Sequence, residues 1–295
     1  MQFRNVIILQ SKLINVLYRF LEWAEDNLIV NNYNPHITGK SRPAKIDFLS
    51  ISGSYSYGIP TETSDYDIKG IFTLPTENLF TLDNRVKWFK GNHKKIPEIP
   101  DVEIDYDIYE TQTYIQYVRK PSINHYDCIF SPYYINPSVL NINKLRQMVE
   151  QSISKKLIKA FLGMAYHNYT TGKNRDVKNP KVNLIIMRCY LEAKYIIQHK
   201  KIEMCIPKLL DNFTFTKIDK KIFRTLYQYK KENKQLSDNE AEAFMDWIKL
   251  AKSRVEKDTK ESNLKERPGM FNKFNDFLFK VRLNNLEFLD DYYSY

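Results

Sequence analysis

The chain has 295 residues, 43% of them hydrophobic and 27% charged, and a formal net charge of +10. This apolar content excludes a disordered chain, and 8 Gly and 12 Pro exclude a collagen-like or low-complexity one. No apolar stretch approaches the roughly 18 residues of a membrane span, and residues 1–19 lack a secretory pattern. Three scattered Cys and five scattered His favour neither disulfides nor a zinc site. We therefore expect a cytoplasmic location, reduced thiols and no membrane partner.

Positive charge is concentrated in the second half of the chain. Residues 1–150 contain 16 Lys and Arg against 17 Asp and Glu, whereas residues 151–295 contain 29 against 18. A basic half is typical of proteins that meet phosphate groups. A Lys-rich solvated surface is the alternative interpretation.

The first half mixes helix and strand signals. Apolar residues at intervals of three and four predict an amphipathic helix at residues 5–29, and the polar stretch 31–45 predicts a loop. Short apolar or alternating runs predict strands at Ile46–Ser52, Tyr66–Leu74 and Val102–Tyr109. Residues 76–100 have a mixed pattern, and a helix is expected at 110–119.

After Pro121 the pattern turns helical. The predicted helices lie at 138–150, 153–169, 181–199, 219–234, 238–257 and 270–283. The sequence therefore predicts an α+β protein, in which a small α/β front domain is followed by an all-helical basic domain. The predicted boundaries are a helix at 1–30, a front domain at 31–135, a helical domain at 136–285 and a mobile tail at 286–295.

Glycine is scarce, yet Gly53, Gly58 and Gly70 fall within one window of 18 residues. Gly53 and Ser54 directly follow a predicted buried strand, where backbone N–H groups can approach a phosphate closely. The Ser54 hydroxyl offers one more donor. A plain tight turn is the alternative.

Carboxylates follow this turn at regular spacing. Asp65 and Asp67 lie two residues apart, so both side chains project from one face of a strand. Paired carboxylates repel each other unless a cation such as Mg²⁺ lies between them. The third predicted strand carries Glu103, Asp105 and Asp107 on one face, and one of these is expected to complete a site for metal-dependent phosphoryl or nucleotidyl transfer. Asp-x-Asp also occurs in glycosyltransferases that hold a nucleotide-sugar through a metal, and in ordinary turns.

The ordered set of motifs resembles the DNA polymerase β-type nucleotidyltransferase superfamily. The resemblance rests on Gly53-Ser54, ten further residues, and Asp65-x-Asp67. The fuller strings resemble a branch of predicted nucleotidyltransferases associated with bacterial and phage RNA repair; they are Gly53-Ser-Tyr-Ser-Tyr-Gly58 and Ser64-Asp-Tyr-Asp-Ile-Lys-Gly70.

Further matches are looser. Asp105, followed by Tyr109 and Tyr114, is similar to the third-strand Asp of that branch, and Lys181 with Arg188 is similar to its Lys-x(6)-Arg helix. Two positions depart from the branch. Ile185 replaces its usual His, and Lys69 replaces its usual Arg, which keeps the charge but loses the bidentate fork.

The resemblance implies a minimal nucleotidyltransferase palm, a mixed sheet with flanking helices, followed by a helical domain. It implies transfer of a nucleoside monophosphate (NMP) from a nucleoside triphosphate (NTP) to a hydroxyl, with release of pyrophosphate. Mg²⁺ is the implied cofactor, with Mn²⁺ as the alternative. The acceptor expected is an RNA end such as that of tRNA. A protein-modifying enzyme and a non-catalytic binding module are the alternatives, and the oligomeric state is left open.

The resemblance also assigns roles to residues. Gly53 and Ser54 would hold the triphosphate, and Asp65 and Asp67 the metals. Asp105 would be the third metal-binding, catalytic carboxylate, with Asp107 as its rival. Three cations would contact phosphate, each with a solvated charge or a surface salt bridge as the alternative: Lys69, Lys181 and Arg188. Four tyrosines could stack a base, although packing is the expected role: Tyr55, Tyr57, Tyr106 and Tyr109.

Overall fold

The protein is described here as a computed structural model, which covers residues 2–30, 44–80, 86–138, 140–170 and 177–285. The expected tail at 286–295 and most of the expected loop at 31–45 lie outside these residues.

Five strands form one mixed sheet. In chain order they are β1 (Lys45–Ile51), β2 (Tyr66–Thr73), β3 (Trp88–Ile96), β4 (Ile99–Glu110) and β5 (Tyr134–Ile135). Their spatial order is β3-β4-β2-β1-β5, and the β2–β4 pair is parallel while the other described pairs are antiparallel. Parallel pairing sets the start of β2 beside the middle of β4, with Tyr66 opposite Ile104.

Helices surround this sheet. They are α1 (Gln2–Ala24), α2 (Gly53–Ser56), α3 (Thr111–Arg119), α4 (Ile123–Phe130), α5 (Ile142–Gln151), α6 (Lys155–Thr170), α7 (Pro180–His199), α8 (Ile206–Asn212), α9 (Asp219–Lys231), α10 (Asp238–Glu261) and α11 (Phe271–Asn284). A π-helical stretch, Glu25–Val30, extends α1, and Thr76–Phe80 is a 3₁₀ helix. None of the described helices is both long and apolar enough to cross a membrane.

Local chemistry explains where the two longest helices of the second half begin. Asn179 accepts backbone N–H bonds at the start of α7, and Pro180 follows at a position where no N–H is needed. α10 begins with a reciprocal capping box between Ser237 and Glu240. Both starts fall within one residue of the predicted ones.

The α+β class and the predicted elements are confirmed, and several further elements were missed, among them α2 and the 3₁₀ helix at Thr76–Phe80. β3 is an edge strand whose side chains are mostly exposed, so it has no apolar alternation to detect. β5 has two residues and interrupts the region after Pro121, which was expected to be entirely helical. The short helices α4 and α8 were also missed.

The sheet lies between two apolar clusters. On one face, α1 packs through Leu17 and Phe20 in a cluster that also holds Ile68 of β2. On the other face, Phe48 of β1 belongs to a cluster that extends through α3 to α7, α10 and α11, as far as Phe277. The two sides of the predicted boundary at residue 135 therefore share one core. This continuity brings α7 and α9 to the Gly53–Gly58 segment, which Arg188 and Lys230 contact.

Candidate active site

The turn after β1 brings the backbone against the side chain of Asp67. Gly53 begins α2 with φ +64°, and a Cβ atom at this position would lie 1.8 Å from Asp67 Oδ2. The Ser52 N–H donates to the Asp67 carbonyl at 2.7 Å. Glycine is required here because any side chain would both strain the backbone and displace the carboxylate.

Three of the predicted carboxylates come together. One oxygen from each of Asp65, Asp67 and Asp105 lies within 4.8 Å of the others, and all three residues are half-buried. Asp65 directly precedes β2, and Asp67 lies opposite Asp105 in the parallel register of β2 and β4. Opposite ligands of Mg²⁺ are about 4.2 Å apart, so this acidic cluster fits a hard divalent cation after small side-chain movements.

Asp107 lies outside the acidic cluster. It is opposite Lys69 in the sheet, two residues further along β4 than Asp105, and its carboxylate is 3.7 Å from Lys90 Nζ. Of the two rivals weighed from the sequence, the structure therefore joins Asp105 to Asp65 and Asp67.

The edge strand β3 orients Asp105. His93 has φ +50°, and its backbone N–H donates to Asp105 Oδ1 at 2.7 Å. The His93 ring lies 3.1 Å from Glu103. This contact was missed because β3 itself was not predicted.

The acidic cluster is electrostatically strained without a cation. Burial, and next the negative charge of Asp65, raise the pKa of Asp67 to about 6, while the charge of Lys69 opposes the rise. Asp105 adds a smaller repulsion, and Lys181 a smaller attraction. A bound divalent metal would remove the repulsion, and a donor set made only of carboxylates suits Mg²⁺ or Mn²⁺.

A cavity of about 300 Å³ opens on the acidic cluster. Gly53, Ser54, Lys69 and Lys181 line it together with the three carboxylates. Lys69 Nζ donates to the Asn124 carbonyl at 2.9 Å, so its charge is held beside the cavity. The exposed Lys181 stands at the first turn of α7. Both predicted lysines thus line the cavity beside the carboxylates.

The structure places Arg188 in the core and not among the residues that line the cavity. It was paired with Lys181 as either a phosphate contact or a surface salt bridge, but its residue is only 1% exposed. Its guanidinium lies 3.1 Å from Asp127 and 3.5 Å from Glu192, and it covers the ring of Tyr57 at 3.9 Å. Lys181 and Arg188 are two helical turns apart and share one face of α7. That face lines the cavity at Lys181 and is buried in the core at Arg188.

A buried ionic cluster packs against the turn from the core. Its members are Arg188, Asp127, Glu192 and Tyr57. The Tyr57 hydroxyl donates to Asp127, and Tyr57 is itself part of the Gly53–Gly58 segment. Asp127 belongs to α4, which was not predicted, so its role was missed as well. The cluster is therefore a scaffold for the site.

The other tyrosines pack against neighbouring rings. Tyr55 contacts Tyr66, Tyr106 contacts the aromatic rings of α1, and Tyr109 packs beside His125 at 4.6 Å between ring centroids. Packing is thus the role that these contacts support.

Lys230 of α9 is the site residue most remote in sequence from the motif. Its ammonium group donates to Ser54 Oγ at 2.9 Å and to the Ile59 carbonyl at 2.6 Å. It lies 176 residues from Ser54, beside a second lysine, Lys231, and nothing in the pattern distinguishes the two.

Comparison with known families supports the motif. A model described as RlaP, the RNA repair pathway DNA polymerase beta family, matches residues 33–280. The match begins after α1. No curated protein matches the chain.

Proposed function

Because the chain belongs to the RNA repair pathway DNA polymerase beta family, we propose that it is a divalent-metal-dependent nucleotidyltransferase acting on an RNA end. It would move an NMP from an NTP to an acceptor hydroxyl and release pyrophosphate. The observation that carries this proposal is the meeting of Asp65, Asp67 and Asp105 at the Gly53-Ser54 turn.

The carboxylates provide for the chemistry. Asp65, Asp67 and Asp105 would hold Mg²⁺, or Mn²⁺ as the alternative ion. A metal held there offsets the triphosphate charge and lowers the pKa of the attacking hydroxyl. The acceptor oxygen bonds to the α-phosphorus, and the bond from that phosphorus to the bridging oxygen of the β-phosphate breaks. The Asp105 carboxylate accepts the hydroxyl proton.

Four other residues would bind the nucleotide. The backbone at Gly53 and the hydroxyl of Ser54 would contact the triphosphate, since both line the cavity beside the carboxylates. Lys69 and Lys181, which line the same cavity, would supply positive charge. Arg188 acts through Tyr57, so it would position the turn without touching the nucleotide.

RNA is the acceptor class that the observations favour. The family is described by an RNA repair pathway, and the second half of the chain has 29 Lys and Arg against 18 Asp and Glu. Such an excess suits a polyanionic acceptor because phosphate contacts dominate nucleic-acid affinity.

The test is an NMP-transfer assay with each of the four α-labelled NTPs and Mg²⁺, in which total RNA and total protein are offered together. We expect label in RNA, and we expect Asp65→Ala/Asp67→Ala to reduce transfer by at least about 1000-fold. Asp107→Asn is the matched control, since Asp107 lies outside the acidic cluster, and it should keep activity within about threefold.

Each other outcome points elsewhere. Label in protein would replace the RNA acceptor with a protein acceptor. NTP binding without any transfer in this mixture would favour a non-catalytic module. Equal loss in Asp107→Asn and in the double variant would contradict the assignment of the metal ligands.

A further inference from the structure

A groove outside the candidate active site runs along α5. Its first part is a cavity of about 630 Å³ between α5 and α11. Its second part is a cavity of about 420 Å³ between the end of α5, the residue that follows α7 and the segment that follows α10. Gln147 and Gln151 line both cavities, so the two parts form one continuous groove, which we call the α5 groove. The length of α5 gives it an extent of about 15 Å.

The α5 groove carries a net positive charge. Its lining contains two acids, Glu150 and Asp276, against five lysines, which are Lys144, Lys200, Lys265, Lys273 and Lys280. Within the part of the chain that the structure describes, none of these five lysines forms a salt bridge, whereas three exposed lysines of α10 pair with acids on their own helix. The groove lysines are therefore available to an anionic partner.

The rest of the lining suits a nucleic-acid backbone better than a protein surface. Most of it consists of side-chain amides, which are Asn141, Gln147, Gln151, Asn263 and Asn284. Amide and ammonium groups donate hydrogen bonds to phosphate and sugar oxygens. The Trp, Tyr and Arg side chains that are typical of the centre of a protein interface are not among its lining residues, and its aromatic residue, Phe277, is buried.

Helix α7 sets the distance between the α5 groove and the acidic cluster. Lys181, in its first turn, lines the cavity at the carboxylates, and Lys200, directly after its last residue, lines the groove. At 1.5 Å per residue these two positions are about 28 Å apart. A duplex that rises about 3.4 Å per base pair needs roughly eight base pairs to cover this distance. One RNA can thus reach both places only if it is at least this long.

We propose that the α5 groove binds the sugar-phosphate backbone of the RNA acceptor, at a distance from the end that reacts at the acidic cluster. This inference rests on the proposed function, since it locates the partner surface for that same acceptor. It implies that long RNA acceptors bind better than short ones, through contacts that lie wholly outside the catalytic cavity.

The first test measures binding of a labelled RNA hairpin of about 20 base pairs, long enough to cover both places, to the full chain. Fluorescence anisotropy follows it at several salt concentrations without NTP. The variant is Lys144→Gln/Lys273→Gln/Lys280→Gln, in which all three lysines are exposed. The matched control is Lys249→Gln/Lys252→Gln/Lys257→Gln, which removes the same charge from lysines of α10 that do not line the groove. Thermal unfolding identifies any variant that fails to fold.

The groove variant should bind the hairpin about 10- to 100-fold more weakly at low salt, and the slope of log K against log salt should fall by about 2 to 3. The α10 control should stay within about twofold of the original chain. Equal losses in the two variants would overturn the inference, because net charge alone would then explain them. Displacement of the hairpin by polyglutamate as readily as by unlabelled RNA would overturn it in favour of an acidic protein partner.

The second test separates this inference from the proposed function. In the NMP-transfer assay, the groove variant should raise KM for the hairpin about 10-fold and leave kcat within about twofold. Transfer to an RNA of about three nucleotides, too short to reach the groove, should not change. An unchanged KM for the hairpin would contradict the inference alone. Groove-dependent RNA binding without transfer to any acceptor would support the groove and contradict the proposed activity.

Discussion

The acidic cluster and the buried ionic cluster both contact the Gly53–Gly58 segment, but the first combines like charges and the second opposite charges. Asp65, Asp67 and Asp105 gather like charges at an open cavity. Arg188, Asp127 and Glu192 instead combine opposite charges in the core, where the side chains of the two closest partners, Arg188 and Asp127, are at most 3% exposed.

Both clusters raise the pKa of a carboxyl group, and they differ in the cation that opposes the rise. In the acidic cluster, burial and like charge raise the pKa of Asp67, and nothing nearby fully compensates. In the buried ionic cluster, burial and then the charge of Asp127 raise the pKa of Glu192, and the Arg188 guanidinium, which is in contact with both carboxyl groups, opposes that rise. Uncompensated charge beside a cavity indicates a ligand site, whereas compensated charge in a core indicates scaffold.

Breaking the buried ionic cluster should have the largest effect on stability. Arg188→Met leaves Asp127 buried without its cation, and we expect a loss of about 3–5 kcal/mol in the free energy of unfolding. Chemical denaturation measures it.

The control for this prediction is Lys252→Met, which removes an exposed partner of Glu256 at the same i,i+4 spacing as Arg188 and Glu192. It should change the free energy of unfolding by at most about 0.5 kcal/mol. Similar losses in the two variants would mean that burial does not distinguish the clusters.

Neutralising one carboxylate of the acidic cluster should increase the free energy of unfolding. The pKa of Asp67 is about 6 in the fold against an ordinary 3.8, so the folded state binds more protons between these values and loses stability as the pH rises through them. Asp67→Asn should therefore stabilise the metal-free protein at pH 7.5, on the order of 2 kcal/mol.

The pH dependence sharpens this prediction. The gain should shrink to roughly half at pH 5, because the folded carboxyl is then mostly protonated while the unfolded one is not. Denaturation in EDTA at both pH values measures the gain. A gain that is equal at pH 5 and pH 7.5 would show that repulsion at Asp67 is not its source.

Adding a metal should produce the smallest effect. At a Mg²⁺ or Mn²⁺ concentration ten times the dissociation constant, the original chain should gain about 1.4 kcal/mol in the free energy of unfolding. Asp65→Ala/Asp67→Ala should gain nothing, and EDTA should reverse the gain. Arg188→Lys, if folded, should keep the metal response, since Arg188 is not in the acidic cluster. A metal response that survives in the double alanine variant would place the cation elsewhere.

Periodicity was sufficient for part of the site. Two-residue spacing placed Asp65 and Asp67 on one face and offered Asp105 or Asp107 as the third carboxylate. The choice between these two depended on the parallel register of β2 and β4, which pairs Asp67 with Asp105. Register depends on contacts between strands that are distant in sequence, and a single-strand pattern does not contain them.

Helical spacing predicted which face of α7 the two cations occupy, but not how deeply each one is buried. It placed Lys181 and Arg188 on one face of α7, and both face the Gly53–Gly58 segment. Arg188 is buried because Tyr57, Asp127 and Glu192 enclose it, and these partners come from three different elements. The edge strand β3 was not predicted for a related reason. Its backbone pairs with β4 while most of its side chains are exposed, so its sequence has no apolar alternation.

The sequence by itself determined the α+β class, the order of its main elements, the Gly53-Ser54 turn and the acidic pair that follows it. These depend on local periodicity and on short spacings within one segment. Only the tertiary structure decided which third carboxylate joins the pair, that Arg188 supports the turn from within the core, and that Lys230 reaches Ser54 across 176 residues. Such contacts form when distant segments bury a shared core, and their partners leave no local pattern in the chain.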